Sequence, residues 1–391
     1  MTEEIFRRDG YMFEFETAVT SVEGDMVELE STAFYPGGGG QVCDTGTIRG
    51  EKVTEVMYKG NKIVHKVPKN TLKVGETVWC SVDWDRRYGL MQGHTGEHLL
   101  FCSLKRQDPD LTITKIYISP ESKHVIVDHD ISWDKIGEAM RFANKAIRDN
   151  LPVTKTVMSR DDPELSKVRI KLDRIGEDEE ITVVSIGDID YSACSGIHVM
   201  ETSELEYLLV YRKVSAGKDG YAIHFKVGRE AEEEALELSN ICLQAVEAAD
   251  SKPELLVRTI NNMKHENEVG REAIKASSKQ LLAHLEPENV NGIDLYSGRF
   301  SADRKTLTDA AERFKSEGGV AAFVSVADTV SVMLASGNDK VDCRKVLPEI
   351  LKEFGGRGGG KPDFAQGGIE DVSQADALLE KMRETVKTLL L

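Results

Sequence analysis

The chain has 391 residues, of which 40% are hydrophobic and 30% are charged, and its formal net charge is −17. This length predicts two to four domains, and no apolar stretch approaches the ~20 residues that a membrane-spanning helix needs. The acidic balance argues against non-specific nucleic-acid binding, although local basic patches still permit a specific RNA complex.

Cysteine usage and the first residues indicate a reducing compartment. The start of the sequence, Met-Thr-Glu-Glu, has no basic segment followed by an apolar one, which is the pattern of a secretory signal. The cysteines are scattered and show no disulfide framework. We therefore expect a cytoplasmic protein that does not associate with membranes. The six cysteines occupy positions 43, 80, 102, 194, 242 and 343.

The first 90 residues predict a small β-barrel built from several short strands. Gly24 and Asp25 form a turn pair between two apolar segments, as in a β-hairpin, and Gly60 marks a second turn. Residues 78–84 alternate with the period of a strand. Four consecutive glycines at residues 37–40 predict that the main chain approaches another group closely, with a flexible hairpin loop as the alternative.

From Asp85 the apolar period becomes helical, so His94 and His98 are expected one turn apart on one helix face. A second helix is predicted over residues 133–150. Short alternating segments surround these helices, which indicates a mixed α/β unit. The predicted strands lie at residues 113–118, 124–128, 153–157, 181–184, 189–191 and 207–211.

Residues 228–286 predict two long helices joined by a short break. Ser251 and Glu254 have the spacing of a capping box at the start of the second helix, and Pro253 suits a first helical turn. A solvated spacer and a contact with a partner or RNA are both open interpretations of this helical arm.

The remaining residues predict a compact α/β module. It contains two apolar strands at 320–326 and 330–334, a helix from about 343 to 354, a glycine-rich loop at 355–368 and a closing helix capped at Ser373. The predicted fold class is therefore α+β and multidomain. The expected domains are a β-barrel-like domain at 1–90, a zinc-binding domain at 91–225, a helical linker at 226–286 and a C-terminal α/β domain at 287–391.

Two pairs of side chains carry the strongest chemical signal. His94 and His98 are four positions apart, and Cys194 and His198 repeat that spacing about a hundred residues later. Three imidazoles and one thiolate make a complete tetrahedral set for zinc. A buried structural thiol beside a turn is the alternative for Cys194.

The segment at 94–98 also matches the H-x-x-E-H string of inverted zinc peptidases. In that alternative Glu97 polarises water, and a glutamate at 177, 179 or 180 supplies the third ligand. The peptidase interpretation leaves Cys194, His198 and both glycine-rich segments unexplained.

Four motifs follow one another along the chain. The first combines Thr-Ala-Phe-Tyr-Pro at 32–36, Gly-Gly-Gly-Gln at 38–41 and Asp-Thr-Gly at 44–46. The other three are residues 94–100, Cys-Ser-Gly-Ile-His-Val at 194–199 and residues 355–366. With them the chain resembles the alanyl-tRNA editing proteins, the free-standing relatives of the editing domain of alanyl-tRNA synthetase. The fourth motif resembles the C-terminal domain of that synthetase. The third departs from the usual Cys-Gly-Gly-Thr-His at Ser195 and Ile197.

The resemblance implies the long form of these proteins, in which helices join an editing half to a C-terminal half. It implies hydrolysis of the aminoacyl ester of tRNA(Ala) wrongly charged with serine or glycine, with Zn2+ as the cofactor. His94, His98, Cys194 and His198 are then the zinc ligands. The first three of these, with Glu97 as a candidate base, form the predicted catalytic group.

The resemblance also implies contacts with the substrate. Gln41 and the glycines Gly38, Gly39 and Gly40 are expected against the terminal adenosine or the ester. Thr32 is expected to give its hydroxyl to the serine hydroxyl, a contact that alanine leaves unmade.

Two cations and the closing helix suggest further partners. Arg357 and Lys361 are expected to meet RNA phosphates. Exposed leucines on the closing helix favour a homodimer through the C-terminal half. A non-catalytic, zinc-containing tRNA-binding protein is the second class of function that the sequence permits.

Overall fold

The computed structural model describes residues 2–170, 181–326 and 329–391. The chain forms two compact units, Met1–Gln244 and Ala245–Leu391. Each unit has hydrophobic clusters of its own. The predicted mixed α/β, multidomain class is confirmed, and the four expected domain boundaries stay predictions.

The N-terminal part of the first unit is a seven-stranded antiparallel sheet that forms a nearly closed barrel, with the strand order β6-β5-β9-β2-β3-β8-β7. Gly24 and Gly60 turn two of its hairpins with φ of 63° and 62°, a conformation that favours glycine. Both predicted turns are therefore confirmed. The elements are β1 (Glu3–Glu4), α1 (Ile5–Arg8), β2 (Glu14–Glu23), β3 (Met26–Leu29), β4 (Ser31–Thr32), β5 (Gly46–Ile48), β6 (Glu51–Val53), β7 (Glu55–Lys59), β8 (Lys62–Lys66) and β9 (Thr77–Val82).

The helix α2 (Trp84–Gln107) runs through the middle of the first unit. Asp83 caps it by accepting a hydrogen bond from the Arg86 amide, and basic residues in its last turn suit the helix dipole. The helix is buried on all sides from Gly93 to Leu104. The predicted helix is confirmed, and its enclosure explains why polar side chains on it must find partners inside the protein.

A four-stranded antiparallel sheet packs one face on α2, in the order β10-β11-β16-β15. The prediction missed β16, although Ile223, Phe225 and Val227 alternate with polar residues in it. A three-stranded sheet, β12-β13-β14, leads into the segment at 194–198. The elements are β10 (Ile113–Ile118), β11 (Lys123–Val127), α3 (Trp133–Arg148), β12 (Val153–Met158), β13 (Ile181–Ile186), β14 (Asp190–Ala193), β15 (Leu208–Ser215) and β16 (Tyr221–Val227).

The predicted helical pair is present as α4 (Arg229–Ala248) and α5 (Leu256–Ala283). The predicted capping box between them is wrong. A 3-10 turn at Pro253–Leu255 precedes α5, whose N-cap makes no side-chain bond. Ser251 instead bonds its hydroxyl to that of Thr259 at 2.8 Å.

The second unit contains a six-stranded sheet in the order β17-β18-β19-β20-β22-β21, covered by α6 on one face and by α7 and α8 on the other. The predicted strands and helices are found here. The elements are β17 (Glu288–Val290), β18 (Ile293–Phe300), α6 (Arg304–Ser316), β19 (Val320–Val326), β20 (Val330–Ser336), α7 (Cys343–Glu353), β21 (Arg357–Lys361), β22 (Phe364–Ile369) and α8 (Ala375–Leu390).

Three expectations for this unit are wrong in detail. The predicted glycine-rich loop is a β-hairpin, β21–β22. Asp371, not Ser373, caps the 3-10 turn at Val372–Gln374 that precedes α8. Leu378 and Leu390 of α8 are buried against the sheet, because the sheet needs cover on that face, while Leu379 is partly buried and Leu389 is the exposed leucine of the helix. None of the helices in the described residues is both long and apolar enough to cross a membrane.

Candidate metal centre

The structure brings together the two pairs that the sequence singled out. One ligand atom from each of His94, His98, Cys194 and His198 lies within 4.8 Å of all the others. The Cys194 Sγ is 3.4 Å from both His94 Nε2 and His198 Nε2. Zinc with tetrahedral Cys and His ligands separates sulfur from nitrogen by about 3.6 Å. The donor set and its spacing therefore fit a zinc ion.

The two pairs reach this point by different backbone routes. His94 and His98 sit one turn apart on α2, as predicted. Cys194 and His198 lie in an irregular segment after β14, so their equal spacing is not a second helical clamp. Gly196 permits the approach, because a Cβ there would lie 2.2 Å from the His94 ring.

Each imidazole has its Nδ1 held by a partner outside the cluster. His94 Nδ1 bonds Gln41 Oε1 at 2.7 Å, His98 Nδ1 bonds Asp190 Oδ2 at 3.2 Å, and His198 Nδ1 bonds Thr95 Oγ1 at 3.1 Å. This arrangement fixes each ring and leaves its Nε2 lone pair for a metal. It is a further observation from the chain itself that fits a metal site.

Asp190 is supported in turn by a small network. Ser192 Oγ donates to Asp190 Oδ2 at 2.8 Å, and Arg169 Nη2 donates to Ser192 Oγ at 2.7 Å. Sequence reasoning missed Asp190, Thr95 and Arg169. Asp190 could have been suspected, because it lies four positions before Cys194 and metal-binding histidines commonly donate to a carboxylate.

The cluster shifts the protonation of its own members. Burial opposes the thiolate of Cys194, but His94 and His198 hold its pKa well below the ordinary value. Burial also disfavours a charged His98, yet its bond to Asp190 and the nearby Cys194 raise the pKa of His98 to about 10. Burial lowers the pKa of His198 to about 3. A metal ion needs all four side chains in their deprotonated forms, so metal binding here is coupled to proton release.

Two buried polar groups beside the cluster lack hydrogen-bond partners among the described residues. They are the Gln41 amide nitrogen and both carboxylate oxygens of Glu97. Glu97 Oε2 lies 3.8 Å from His98 Nε2, the nitrogen that faces the cluster, and Glu97 Oε1 lies 3.8 Å from Arg169. Buried polar groups rarely stay unpaired. Their position indicates that a ligand or water belongs at this point.

The glycine segment is pinned to the edge of the four-stranded sheet. Ile118 N donates to Gly40 O at 2.8 Å, and Val42 N donates to Ile118 O at 3.1 Å. A Cβ at Gly40 would lie 2.5 Å from Ile116 O. The close approach predicted for this segment is therefore made to β10, while Gly38 and Gly39 are exposed. Gln41, in between, reaches His94.

Thr32 is placed differently from the expectation. His65 Nδ1 lies 3.1 Å from Val27 O, which can only accept, so His65 Nε2 is the acceptor for the Thr32 hydroxyl at 2.8 Å. Burial also lowers the pKa of His65 to about 4, which keeps the ring neutral. The hydroxyl proton of Thr32 is thus committed to His65, and a contact between Thr32 and a serine hydroxyl stays a prediction, with Thr32 as the acceptor.

Lys155 is a cation at this site that the sequence did not suggest. Its Nζ donates to Gly196 O at 3.2 Å. Burial lowers the pKa of Lys155, while the negative Cys194 opposes that shift. Lys155 is an exposed residue, so its side chain contacts both the Cys194 segment and solvent.

The other predicted site residues are not part of this cluster. Arg357 and Lys361 belong to the second unit, where they lie exposed on β21. The three downstream glutamates of the peptidase interpretation, Glu177, Glu179 and Glu180, lie outside the described residues. The part of the chain that the structure describes supplies Cys194 and His198 instead.

The chain matches three domain families. Residues 6–86 match tRNA synthetases class II (A), residues 181–218 match the threonyl and alanyl tRNA synthetase second additional domain, and residues 292–388 match the DHHA1 domain. These matches define the class, which is an assembly of domains of the alanyl-tRNA synthetase type.

Individual relatives narrow this class. The alanyl-tRNA editing protein AlaX-L of Pyrococcus horikoshii is 30% identical, over 98% of this chain and 99% of that protein. The chain belongs to the alanyl-tRNA editing protein family. The alanine–tRNA ligase of Methanoregula boonei is 28% identical over 95% of this chain, which spans only 42% of that ligase. The C-Ala domain of Aquifex aeolicus alanyl-tRNA synthetase is 26% identical over 27% of this chain and 97% of that structure, with a TM-score of 0.24.

Proposed function

We propose that the chain hydrolyses the aminoacyl ester of tRNA(Ala) wrongly charged with serine or glycine, releasing the amino acid and intact tRNA. The observation that carries this proposal is the cluster of His94, His98, Cys194 and His198 with the Glu97 carboxylate beside it, which accepts no hydrogen bond among the described residues. Family membership supplies the substrate class.

We propose that the four clustered side chains hold Zn2+, with Gln41, Asp190 and Thr95 orienting the imidazoles. A bound zinc ion supplies Lewis acidity at this position. The chain's own residues bind the substrate, place the water and move its proton.

Glu97 is the proposed general base. Its carboxylate lies beside the cluster, is almost fully buried and has no hydrogen-bond partner among the described residues. It takes a proton from the attacking water as the water oxygen forms a bond to the ester carbon. The bond from that carbon to the ribose oxygen breaks, and Glu97 returns the proton to the leaving ribose oxygen.

Gln41 and the exposed glycines are the proposed contacts for the ester and the terminal adenosine. Gln41 Oε1 is engaged by His94, which leaves its amide nitrogen as a donor for a substrate oxygen. Gly38 and Gly39 have no side chains, so the substrate can approach their backbone.

Thr32 is proposed to accept, not donate, a hydrogen bond from the serine hydroxyl. Its oxygen donates to His65 and accepts from Phe34 N at 3.1 Å, which leaves one lone pair. Alanine would leave that lone pair unpaired, which is the kind of contact that supports discrimination between amino acids.

The experiment is a deacylation assay on Ser-tRNA(Ala), Gly-tRNA(Ala) and Ala-tRNA(Ala), with the zinc-loaded chain and with the chelated chain. We expect the seryl or glycyl ester to be cleaved, the alanyl ester to survive, and chelation to stop cleavage. Binding of all three tRNAs without cleavage of any would identify a non-catalytic tRNA-binding protein instead.

We also propose two contacts of the second unit. Arg357 and Lys361 are exposed on β21 and meet RNA phosphates. A homodimer forms through α5, because Val257, Ile274 and Leu281 are exposed apolar residues on that helix. A monomer in sedimentation at micromolar concentration would contradict the second proposal.

A further inference from the structure

A row of rings crosses the four-stranded sheet of the first unit. Tyr117 on β10, His124 on β11, His224 on β16 and Arg212 on β15 are partners in the strand register. The Tyr117 and His124 rings are stacked with centroids 4.5 Å apart and planes at 20°. The His124 and His224 centroids are 4.6 Å apart. We call these four residues the ring row.

The ring row lies on the open face of the sheet. Neighbouring residues in the same strands, such as Val125 and Ile223, point the other way and are fully buried in the core. Tyr117 is 44% exposed, and both histidines are only partly buried. The rings cover one another's faces, so the aromatic surface that is open to a ligand is the outer face of Tyr117 on β10.

The charges around the row suit a ligand with both bases and phosphates. Burial lowers the pKa values of His124 and His224, so both rings are neutral at pH 7 and can stack like other aromatic rings. Lys115 and Lys226 are paired with Asp219 and Glu234. Within the described ranges no ion pair is formed by Arg212, so its guanidinium at the end of the row stays open to an anion.

The row begins beside the segment that carries Gln41. Ile118, next to Tyr117, exchanges backbone hydrogen bonds with Gly40 and Val42. Gln41 between them bonds His94 of the metal cluster. An extended ligand whose end lies at the cluster can therefore pass along the glycine segment and around the edge of β10 to reach Tyr117.

We propose that the ring row binds unpaired nucleotides of an RNA strand, with a base stacking on the outer face of Tyr117 and a phosphate meeting Arg212. Stacking on aromatic side chains tolerates any base, which fits a surface with few hydrogen-bonding groups. The identity of that strand as the single-stranded end of the aminoacylated tRNA rests on the proposed function.

Cross-strand ring pairs also stabilise sheets without binding anything. Substitution by valine separates the two roles, because valine keeps strand propensity and removes the ring. A purely structural row would lose stability in such a variant, and a binding row would lose RNA affinity.

The experiment measures fluorescence polarisation of a labelled single-stranded RNA of about eight nucleotides, a length within the site sizes of such surfaces, with the full chain. We expect Tyr117→Val to raise the Kd roughly tenfold, as expected for one lost base stack. Tyr117→Phe should bind like the wild type. Trp79→Val is the matched control, since Trp79 is an exposed aromatic residue on a strand of the barrel.

Binding needs no turnover, so the measurement holds even if the proposed hydrolysis fails. The proposal is overturned if the wild-type chain does not bind the oligonucleotide, if a blunt duplex competes equally well, or if Tyr117→Val binds normally. Thermal unfolding of each variant guards against misfolding. If Tyr117→Val unfolds, Arg212→Gln at an exposed position decides, because weaker binding supports the proposal and unchanged binding overturns it.

Discussion

The two units differ in what they bury. In the first, charged side chains lie inside the core, among them Asp44, Arg87, Glu97 and Asp190. In the described part of the second unit, the buried polar residues are only Ser278, Thr306 and Ser336, none of them charged. Burying an ionised group costs free energy unless the group is paired. The buried charges therefore lower the stability of the first unit unless they are paired, and the described part of the second unit buries no such charges.

The cysteines show the same contrast. Burial raises the pKa of Cys343, in the core of the second unit, to about 12, as expected for an inert thiol. Cys194 is partly buried, but the neighbouring imidazoles of His94 and His198 lower its pKa. Burial alone therefore does not set the pKa of a thiol, and the groups next to the sulfur make the difference.

The buried charges of the first unit serve two purposes. Arg87 and Asp44 are paired, with Arg87 Nε 3.0 Å and 3.1 Å from the two carboxylate oxygens, and Arg87 also donates to Gly10 O. This pair ties α2 to the barrel. Glu97 accepts no hydrogen bond among the described residues, its nearest cationic partners lie 3.8 Å away, and it stands beside the metal cluster, which is why we propose it as the base.

The largest expected effect comes from removing the thiolate. Cys194→Ala should lose bound zinc and reduce deacylation by at least about a hundredfold, because a lost ligand weakens a site more than a lost outer partner. The measurements are zinc content by mass spectrometry and the deacylation rate.

Cys343→Ala is the control from the apolar unit and should keep both zinc and activity. Zinc retained at the wild-type level in Cys194→Ala would contradict the ligand assignment and remove the contrast between the two thiols.

Glu97→Gln should lower deacylation by about a hundredfold to ten-thousandfold, the range for loss of a general base. Its zinc content should not change, because the amide keeps the shape of the side chain. Single-turnover rates under saturating enzyme measure the effect directly. Glu230→Gln, at an exposed glutamate that pairs with Lys123, is the control. A nearly normal rate in Glu97→Gln would mean that another group takes the proton.

Asp190→Asn should weaken zinc binding by about tenfold to a hundredfold, as expected for an outer partner of a ligating histidine. The carboxylate accepts from His98 Nδ1, and an amide holds that ring less firmly. Competition with a coloured chelator measures the affinity. Unchanged affinity would show that Asp190 supports the fold of the network with Ser192 and Arg169 rather than the metal.

Much of the fold follows from local pattern. The barrel turns at Gly24 and Gly60, the helix that carries His94 and the continuous apolar strands β19 and β20 all have short-range signals. The ligand set of the candidate site could also be named, because two equally spaced pairs of soft ligands are rare. The strand β16 had a signal in its alternation, and it was missed.

The rest depends on contacts between distant segments. Asp190 and Thr95 reach the rings only after the chain folds, and their residue types alone indicate nothing unusual. The fate of the Thr32 proton is decided by His65 and Val27, from two other strands. The hairpin β21–β22 was taken for a loop because its glycines weaken every strand propensity, while pairing with β20 supplies the order.

The smallest expected effect concerns the start of α8 in the second unit. Asp371 accepts hydrogen bonds from the Ser373 hydroxyl, from the Ser373 amide at 3.0 Å and from the Gln374 side chain at 2.8 Å. These bonds lower the pKa of Asp371, and the one from the Ser373 hydroxyl contributes most. Asp371→Ala should therefore lower the Tm of the second unit by about 3 °C, as expected for a lost cap, and Ser373→Ala should lower it less.

The stabilisation by Asp371 also depends on pH. It is fully present above the pKa of the carboxyl group in the unfolded state and is lost as the pH falls through the lowered pKa of the folded state. Differential scanning calorimetry at pH 7 and pH 3 measures both, and zinc content should not change in either variant. A larger decrease in Tm for Ser373→Ala would support the cap that the sequence pattern predicted. A loss of zinc in either variant would show that the two units are coupled.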